Sequence, residues 1–141
     1  MQIQVKRLSP AATVPSYGSD GAAGLDMYAS ASVRIAPGEW AWVDTEVAVA
    51  IPNEFVGIVK SRSSMASKGL YTEAGVIDSD YRGHVKIHLR NQGTTEAVIE
   101  PKMKIAQMIV IPVPRVTVLE VTGDLEATSR GTGGFGSTGE Y

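Results

Sequence analysis

Thr45-Glu46-Val47-Ala48-Val49-Ala50-Ile51 alternates in a way that puts positions 45, 47, 49 and 51 on one face of an extended chain. It ends a longer Val- and Trp-bearing run, Trp40–Ile51, bounded by Pro37-Gly38 and Pro52-Asn53. Pro-Gly and Pro-Asn pairs are turn chemistry, so the run reads as strand. The same pattern recurs at Ser32–Ile35, Phe55–Lys60, Val85–Leu89, Glu96–Ile99, Ile105–Val113 and Val116–Val121. Asn91-Gln92-Gly93, Pro101, Pro112 and Pro114 punctuate the later segments. Short strands with a turn roughly every ten residues predict an antiparallel sandwich, jelly roll or barrel. One helix is expected, a turn or two from Ser63, with Ser63 and Ser64 as N-cap hydroxyls and Gly69 as its stop.

The chain has 141 residues, 43% of them hydrophobic, which fits one domain with an ordinary core. It has no cysteine, which excludes a disulfide scaffold and any thiolate metal site. A net charge of −2 gives no case for direct nucleic-acid binding. No apolar run approaches the roughly 20 residues of a bilayer span, and MQIQVKRLSP lacks a signal peptide's apolar stretch. A cytoplasmic protein without membrane contact is therefore expected.

Three stretches carry chemistry. Residues 60–90 hold six basic residues against three acidic ones, a local positive field suited to a small anion. Within them, Arg62-Ser63-Ser64 joins a guanidinium to hydroxyls and backbone N–H groups at a helix start. Second, Glu73-Ala74-Gly75-Val76-Ile77-Asp78-Ser79-Asp80-Tyr81-Arg82-Gly83 reads as a β-hairpin with an unusual tip. There Asp78 or Asp80 either activates a water or merely closes an Asx-turn, and Tyr81 offers a flat ring to a sugar or base. Third, residues 122–141, TGDLEATSRGTGGFGSTGEY, are too polar and glycine-rich to form a core, yet they space Arg130 and Phe135 among the glycines.

Other motifs fail on context. Gly131-Thr132-Gly133-Gly134-Phe135-Gly136 matches G-x-G-x-x-G, but only five residues follow it, too few for a βα unit. His84 and His88 on a strand would stand ~13 Å apart, too far to share a metal. Any metal is expected to be hard and oxygen-liganded, Mg²⁺ carried by a phosphate substrate.

Read in order, five segments resemble the trimeric dUTPase family, the deoxyuridine triphosphate nucleotidohydrolases. They are Ala22-Ala23-Gly24-Leu25-Asp26-Met27-Tyr28-Ala29; Ser61-Arg62-Ser63-Ser64-Met65-Ala66; and Ala74-Gly75-Val76-Ile77-Asp78-Ser79-Asp80-Tyr81-Arg82-Gly83. The fourth is Lys102-Met103-Lys104-Ile105-Ala106-Gln107-Met108, and the fifth runs from Arg130 through Phe135 to Gly139. The resemblance implies a distorted β-barrel or jelly roll, a β domain over 1–121 and an arm over 122–141. It implies hydrolysis of dUTP to dUMP and diphosphate, which limits uracil in DNA and supplies dUMP for thymidylate synthesis.

Residue by residue, the resemblance makes Asp78 the catalytic carboxylate and sets Tyr81 against the deoxyribose. Backbone from about Gly75, Val76 and Ile77 to Lys86 would pair with uracil. Arg62, Ser63, Ser64 and Gln107 would hold phosphates, and Asp26 would anchor waters around Mg²⁺. Arg130 would reach the γ-phosphate, while Phe135 stacks over the base with Gly136 and Ser137 beside it. The family's sites lie between subunits of a homotrimer, each closed by an arm from another chain. The second motif usually reads Pro-Arg-Ser-Gly-Leu-Ala, so Ser61, Ser64 and Met65 depart from it. Thr72 stands where many bacterial relatives carry Asn. A dCTP deaminase shares the fold but not the complete fifth motif, and a non-catalytic dUTP sensor would have no need of Asp78.

Overall fold

A computed structural model describes residues 1–134. Its strands are β1 (Gln4–Arg7), β2 (Ser16–Tyr17), β3 (Leu25–Tyr28), β4 (Val33–Ile35), β5 (Trp40–Asp44) and β6 (Val47–Ala50). After β7 (Phe55–Lys60) comes the helix α1 (Ser63–Ala66), then β8 (Leu70–Glu73), β9 (Val76–Ile77), β10 (Lys86–Asn91), β11 (Ala97–Ile99) and β12 (Lys104–Pro112). All the pairings are antiparallel, in four open sheets ordered β1-β6, β5-β10-β8, β11-β4 and β2-β3-β12-β7-β9. The all-β, jelly-roll-like architecture is the expected one. Among the described residues no helix is long and apolar enough to cross a membrane.

The sheets enclose one core. Met27, Ile35, Val43, Val47, Ile87, Leu89, Ile99, Ile105 and Met108 are all essentially inaccessible to water. Burying each such side chain stabilises the fold by about 1.5–3 kcal/mol before entropy is counted. Thr45, Val47, Val49 and Ile51 all point inward, as their alternation requires. The run 40–51 is nevertheless two strands. Glu46 adopts φ 50°, and its N–H donates to Asp44 Oδ1 at 2.7 Å, turning the chain so that β5 and β6 enter different sheets.

Three further local expectations are corrected. The segment 73–83 is no simple hairpin, because β9 pairs with β7 while β10 pairs with β5 and β8. Ala74 and Gly75, at φ 59° and 111°, carry the chain between those sheets. The N-cap of α1 is Arg62, with no side-chain cap bond, and Ser67 Oγ instead donates back to the Ser63 carbonyl at 2.9 Å. Gly69, at φ +76°, does stop the turn that follows. Finally, Val116–Val121 is not a strand. After Val113 N–H donates to the Glu54 carbonyl at 2.7 Å, the chain finds no strand edge to pair with among the described residues.

Candidate active site

Several clefts open among the described residues, and two of them gather most of the residues singled out in the sequence. The first, about 470 Å³, is lined by Trp42, Ala74, Gly75, Val76, Ile77, Asp78, Tyr81, His84 and Lys86. Its rim is built by the crossing at Ala74-Gly75. A side chain at Gly75 would put its Cβ 2.8 Å from the Val59 Cβ, so only glycine lets this backbone lie on β7. The Gly75 carbonyl accepts Val59 N–H at 2.8 Å, and Ile77 anchors β9 in the core. Val76, its neighbour, is left exposed at the cleft.

Beyond β9 the chain turns tightly, with Tyr81 N–H donating to the Asp78 carbonyl at 3.2 Å. Arg82 Nη1 donates to the Ser79 carbonyl at 2.7 Å and the Tyr81 carbonyl at 2.9 Å. The turn leaves both Asp78 and Tyr81 exposed at the cleft. Asp78 is therefore water-accessible beside a largely aliphatic and aromatic wall.

The second cleft, about 410 Å³, is lined by Gly18, Ala22, Gly24, Asp26, Arg62, Ser63, Ser64, Lys104 and Gln107. Asp26 lies on β3 opposite Gln107 of β12, and a register shift between Lys104 and Ala106 turns Lys104 toward the same place. Asp26 Oδ1 bonds Arg62 Nε at 2.9 Å, and Oδ2 bonds Lys104 Nζ at 2.7 Å. The hydrogen bond to Asp26, and then its charge, raise the Lys104 ammonium above its usual 10.5, against smaller opposition from desolvation and Arg62. Arg62 Nη1 also donates to the Lys104 carbonyl at 3.3 Å and to Ser64 Oγ at 3.4 Å. Gln107 Nε2 donates to the Ser61 carbonyl at 3.1 Å. Gly24 makes room for that amide, since a Cβ there would meet Gln107 Oε1 at 2.9 Å. No side chain caps α1, and its first two residues, Ser63 and Ser64, line this cleft.

Arg130 lines neither cleft. It is exposed, its Nε bonded to the Gly133 carbonyl at 2.9 Å within its own turn. Phe135, Gly136 and Ser137 lie outside the described residues. Among the described residues no three His or acidic side chains converge as a metal-binding group. His84 and His88 are not paired: His84 Nδ1 meets Asp44 Oδ2 at 2.9 Å, while the His88 ring stacks on Trp40 and meets Trp42 edge-on.

Three contributors were missed as individual residues. Trp42 and His84 reach the first cleft through the β5–β10 pairing, which nothing local announces. Lys104 stood inside a quoted segment without a role. Two departures from the family pattern turn out to be partners. Ser61 Oγ accepts Thr72 N–H at 2.8 Å and lies 3.1 Å from Thr72 Oγ1, and neither residue lines the first cleft.

The family model for dUTPase matches residues 11–139 of the chain. A deoxyuridine 5'-triphosphate nucleotidohydrolase of Chlamydia trachomatis is 40% identical over 139 residues, covering 95% of this chain and 96% of that protein. The dUTPase of Staphylococcus bacteriophage 80alpha, solved with dUpNHpp, superposes with a TM-score of 0.92 at 30% identity, covering 98% of each chain. A mutant dUTPase from phage phi11 of S. aureus, described with a coordinated structural Mg(II) ion, superposes at 0.82 with 27% identity, over 87% of this chain and 98% of that one. With its five segments in order, its jelly-roll-like fold and these relatives, the chain belongs to the dUTPase family.

Proposed function

We propose that the protein hydrolyses dUTP to dUMP and diphosphate, and that each working site is assembled from more than one copy of the chain. The observation that carries this reading is the division of labour between the clefts. One offers a flat, mostly apolar wall with backbone polar groups and Asp78; the other offers Arg62, Lys104 and uncapped N–H groups. The first suits a nucleoside and the second a polyphosphate.

In this reading the backbone from Gly75 to Ile77 and near Lys86 pairs with the uracil edge. Tyr81 lies against the deoxyribose and leaves no room for a 2'-hydroxyl. Asp78 accepts a hydrogen bond from the attacking water and draws off its proton as the water's oxygen bonds the α-phosphorus. The bond from that phosphorus to the bridging oxygen breaks, and diphosphate leaves. Arg62, Lys104, Ser63, Ser64 and Gln107 hold the charge that builds on the leaving group, where electrostatic stabilisation counts most. Ser64 donates through its backbone N–H as a glycine would, and its hydroxyl adds a further group.

Mg²⁺ enters as part of the substrate. Both Asp26 oxygens are engaged by cations, and no further carboxylate joins them among the described residues, so a protein-built cage does not fit here. The remaining lone pairs of Asp26 suit metal-bound water, and Mg²⁺ commonly keeps several waters alongside phosphate ligands. The ion would offset phosphate charge.

The clefts have no lining residue in common, so a nucleotide filling both on a single chain is not the economical reading. A homotrimer joins the nucleoside cleft of one chain to the phosphate cleft of the next. Val116, Val118, Leu119 and Leu125 support this, since each is at least 80% exposed on a chain that needs somewhere to lay its apolar side chains. The arm over 122–141, with the body over 1–121, then brings Arg130 to the γ-phosphate and Phe135 over the uracil of a neighbour, with Gly136 and Ser137 allowing close approach.

Protein incubated with Mg²⁺ and dUTP is expected to release diphosphate and dUMP in equal amounts. Asp78→Asn is expected to lower kcat by roughly 10²–10⁴-fold while the protein stays folded. Wild-type protein that releases no diphosphate would defeat the proposal.

A further inference from the structure

Tyr81 is about half exposed, so the core does not fix its ring. Its hydroxyl donates to the His84 carbonyl at 2.9 Å. The ring also lies across Gly83, where an added Cβ would come within 2.5 Å of that hydroxyl. The orientation of Tyr81 therefore follows the path of the backbone at Gly83 and His84.

Among the described residues, the side chain that ties that path to the neighbouring strand is His84. His84 Nδ1 stands 2.9 Å from Asp44 Oδ2, and since a carboxylate only accepts, the proton of this bond sits on Nδ1. Asp44 is itself held on several sides. Its Oδ1 accepts Glu46 N–H at 2.7 Å, and its carbonyl accepts Ser30 N–H at 3.0 Å and Ser30 Oγ–H at 2.8 Å. Next in the chain, Val85 N–H donates to the Val47 carbonyl at 2.9 Å, and Thr45 Oγ1 donates to the Val85 carbonyl at 2.6 Å. These bonds tie the strand root down up to Val85, and His84 carries the tie one residue further, into the loop that bears Tyr81.

We infer that His84 and Asp44 form a clamp that fixes the Tyr81 ring and so sets discrimination between deoxyribose and ribose. Both are positioning residues, acting through the His84 carbonyl rather than by touching a reacting atom. A released loop lets the ring tilt, and the space that opens is what a 2'-hydroxyl needs. Lys86 Nζ stands 3.9 Å from the same Asp44 oxygen, near enough to add its charge beside the carboxylate.

The inference rests on the dUTP reading, so its test has one readout independent of that reading. Hydrogen exchange over residues 78–86 is measured without nucleotide, and kcat/KM is measured for dUTP and UTP. His84→Ala is expected to speed loop exchange, raise KM for dUTP more than it lowers kcat, and cut the dUTP/UTP preference about tenfold. His84→Gln, whose amide can still donate to Asp44, should restore most of the preference. Asp44→Ala, which offers His84 neither donor nor acceptor, should weaken the preference alone, yet add nothing to that loss in the His84→Ala background. Unchanged exchange in His84→Ala overturns the clamp. Faster exchange with an unchanged dUTP/UTP preference overturns its role in specificity. If wild type hydrolyses neither nucleotide, the dUTP reading fails, and exchange alone decides the clamp.

Discussion

Asp26 is nine-tenths buried at its side chain and bonds a different cation through each oxygen. Such a carboxylate orders its partners, because removing one would leave the other arrangement incomplete. Lys104 gains most from it: the bond and charge of Asp26 raise its pKa above the usual 10.5. A raised lysine pKa means the folded state holds the proton more tightly than the unfolded chain. That stabilisation is fully present below about pH 10.5 and is lost as the pH climbs through the folded value. Urea unfolding of Lys104→Met between pH 9 and 12 should therefore show a shallower alkaline fall than wild type. At neutral pH the same variant should raise KM for dUTP about tenfold, the effect of one lost charge-assisted bond in the phosphate cleft. Arg62, Ser63 and Ser64 could be picked out as an anion-binding candidate because charge and hydroxyl declare their chemistry in any context, whereas Gln107 entered only through the family resemblance. Lys104 could not, because its reach depends on the register shift in β12.

Among the elements, the crossing at Ala74-Gly75 does most to shape the nucleoside cleft. It moves the chain from the three-stranded sheet to the five-stranded one and lays its backbone against β7. Gly75→Ala combines φ +111° with a Cβ 2.8 Å from Val59 Cβ and 3.1 Å from its carbonyl oxygen. Overpacking and backbone strain together should cost about 1–3 kcal/mol, read as a lower urea midpoint, with a raised KM for dUTP because the rim moves. Strand content was largely readable, since the buried positions of β10 follow a period of two and β6 and β7 are short runs rich in Val between turn signals. The crossing was not. Glu73–Gly83 has hairpin composition, and only the competition among sheet edges sends β9 to β7 instead of to β10.

At the scale of the whole molecule, a sound body is joined to a C-terminal stretch that gives it little. Residues 113–134 contain no strand or helix and are almost entirely exposed. Truncation after Ser129 should therefore leave the urea midpoint nearly unchanged and, by light scattering, the proposed trimer intact. Turnover of dUTP should fall at least about 100-fold, because Arg130 and the residues after it are gone. Dissociation or unfolding of the truncated protein would show the tail to be structural. By itself the sequence determined the strand-rich class, the short helix and the chemistry of Arg62, Ser63, Asp78 and Tyr81 as candidate site residues. These depend on local periodicity and on the chemistry of single side chains. Only the tertiary structure decided that Asp78 and Tyr81 line one cleft while Asp26, Arg62 and Gln107 line another, that Trp42 and His84 join the first, and that Arg130 lines neither. Those outcomes turn on which strand edge each segment pairs with. Such pairing is settled by burying the whole core at once, and no local stretch of residues encodes it.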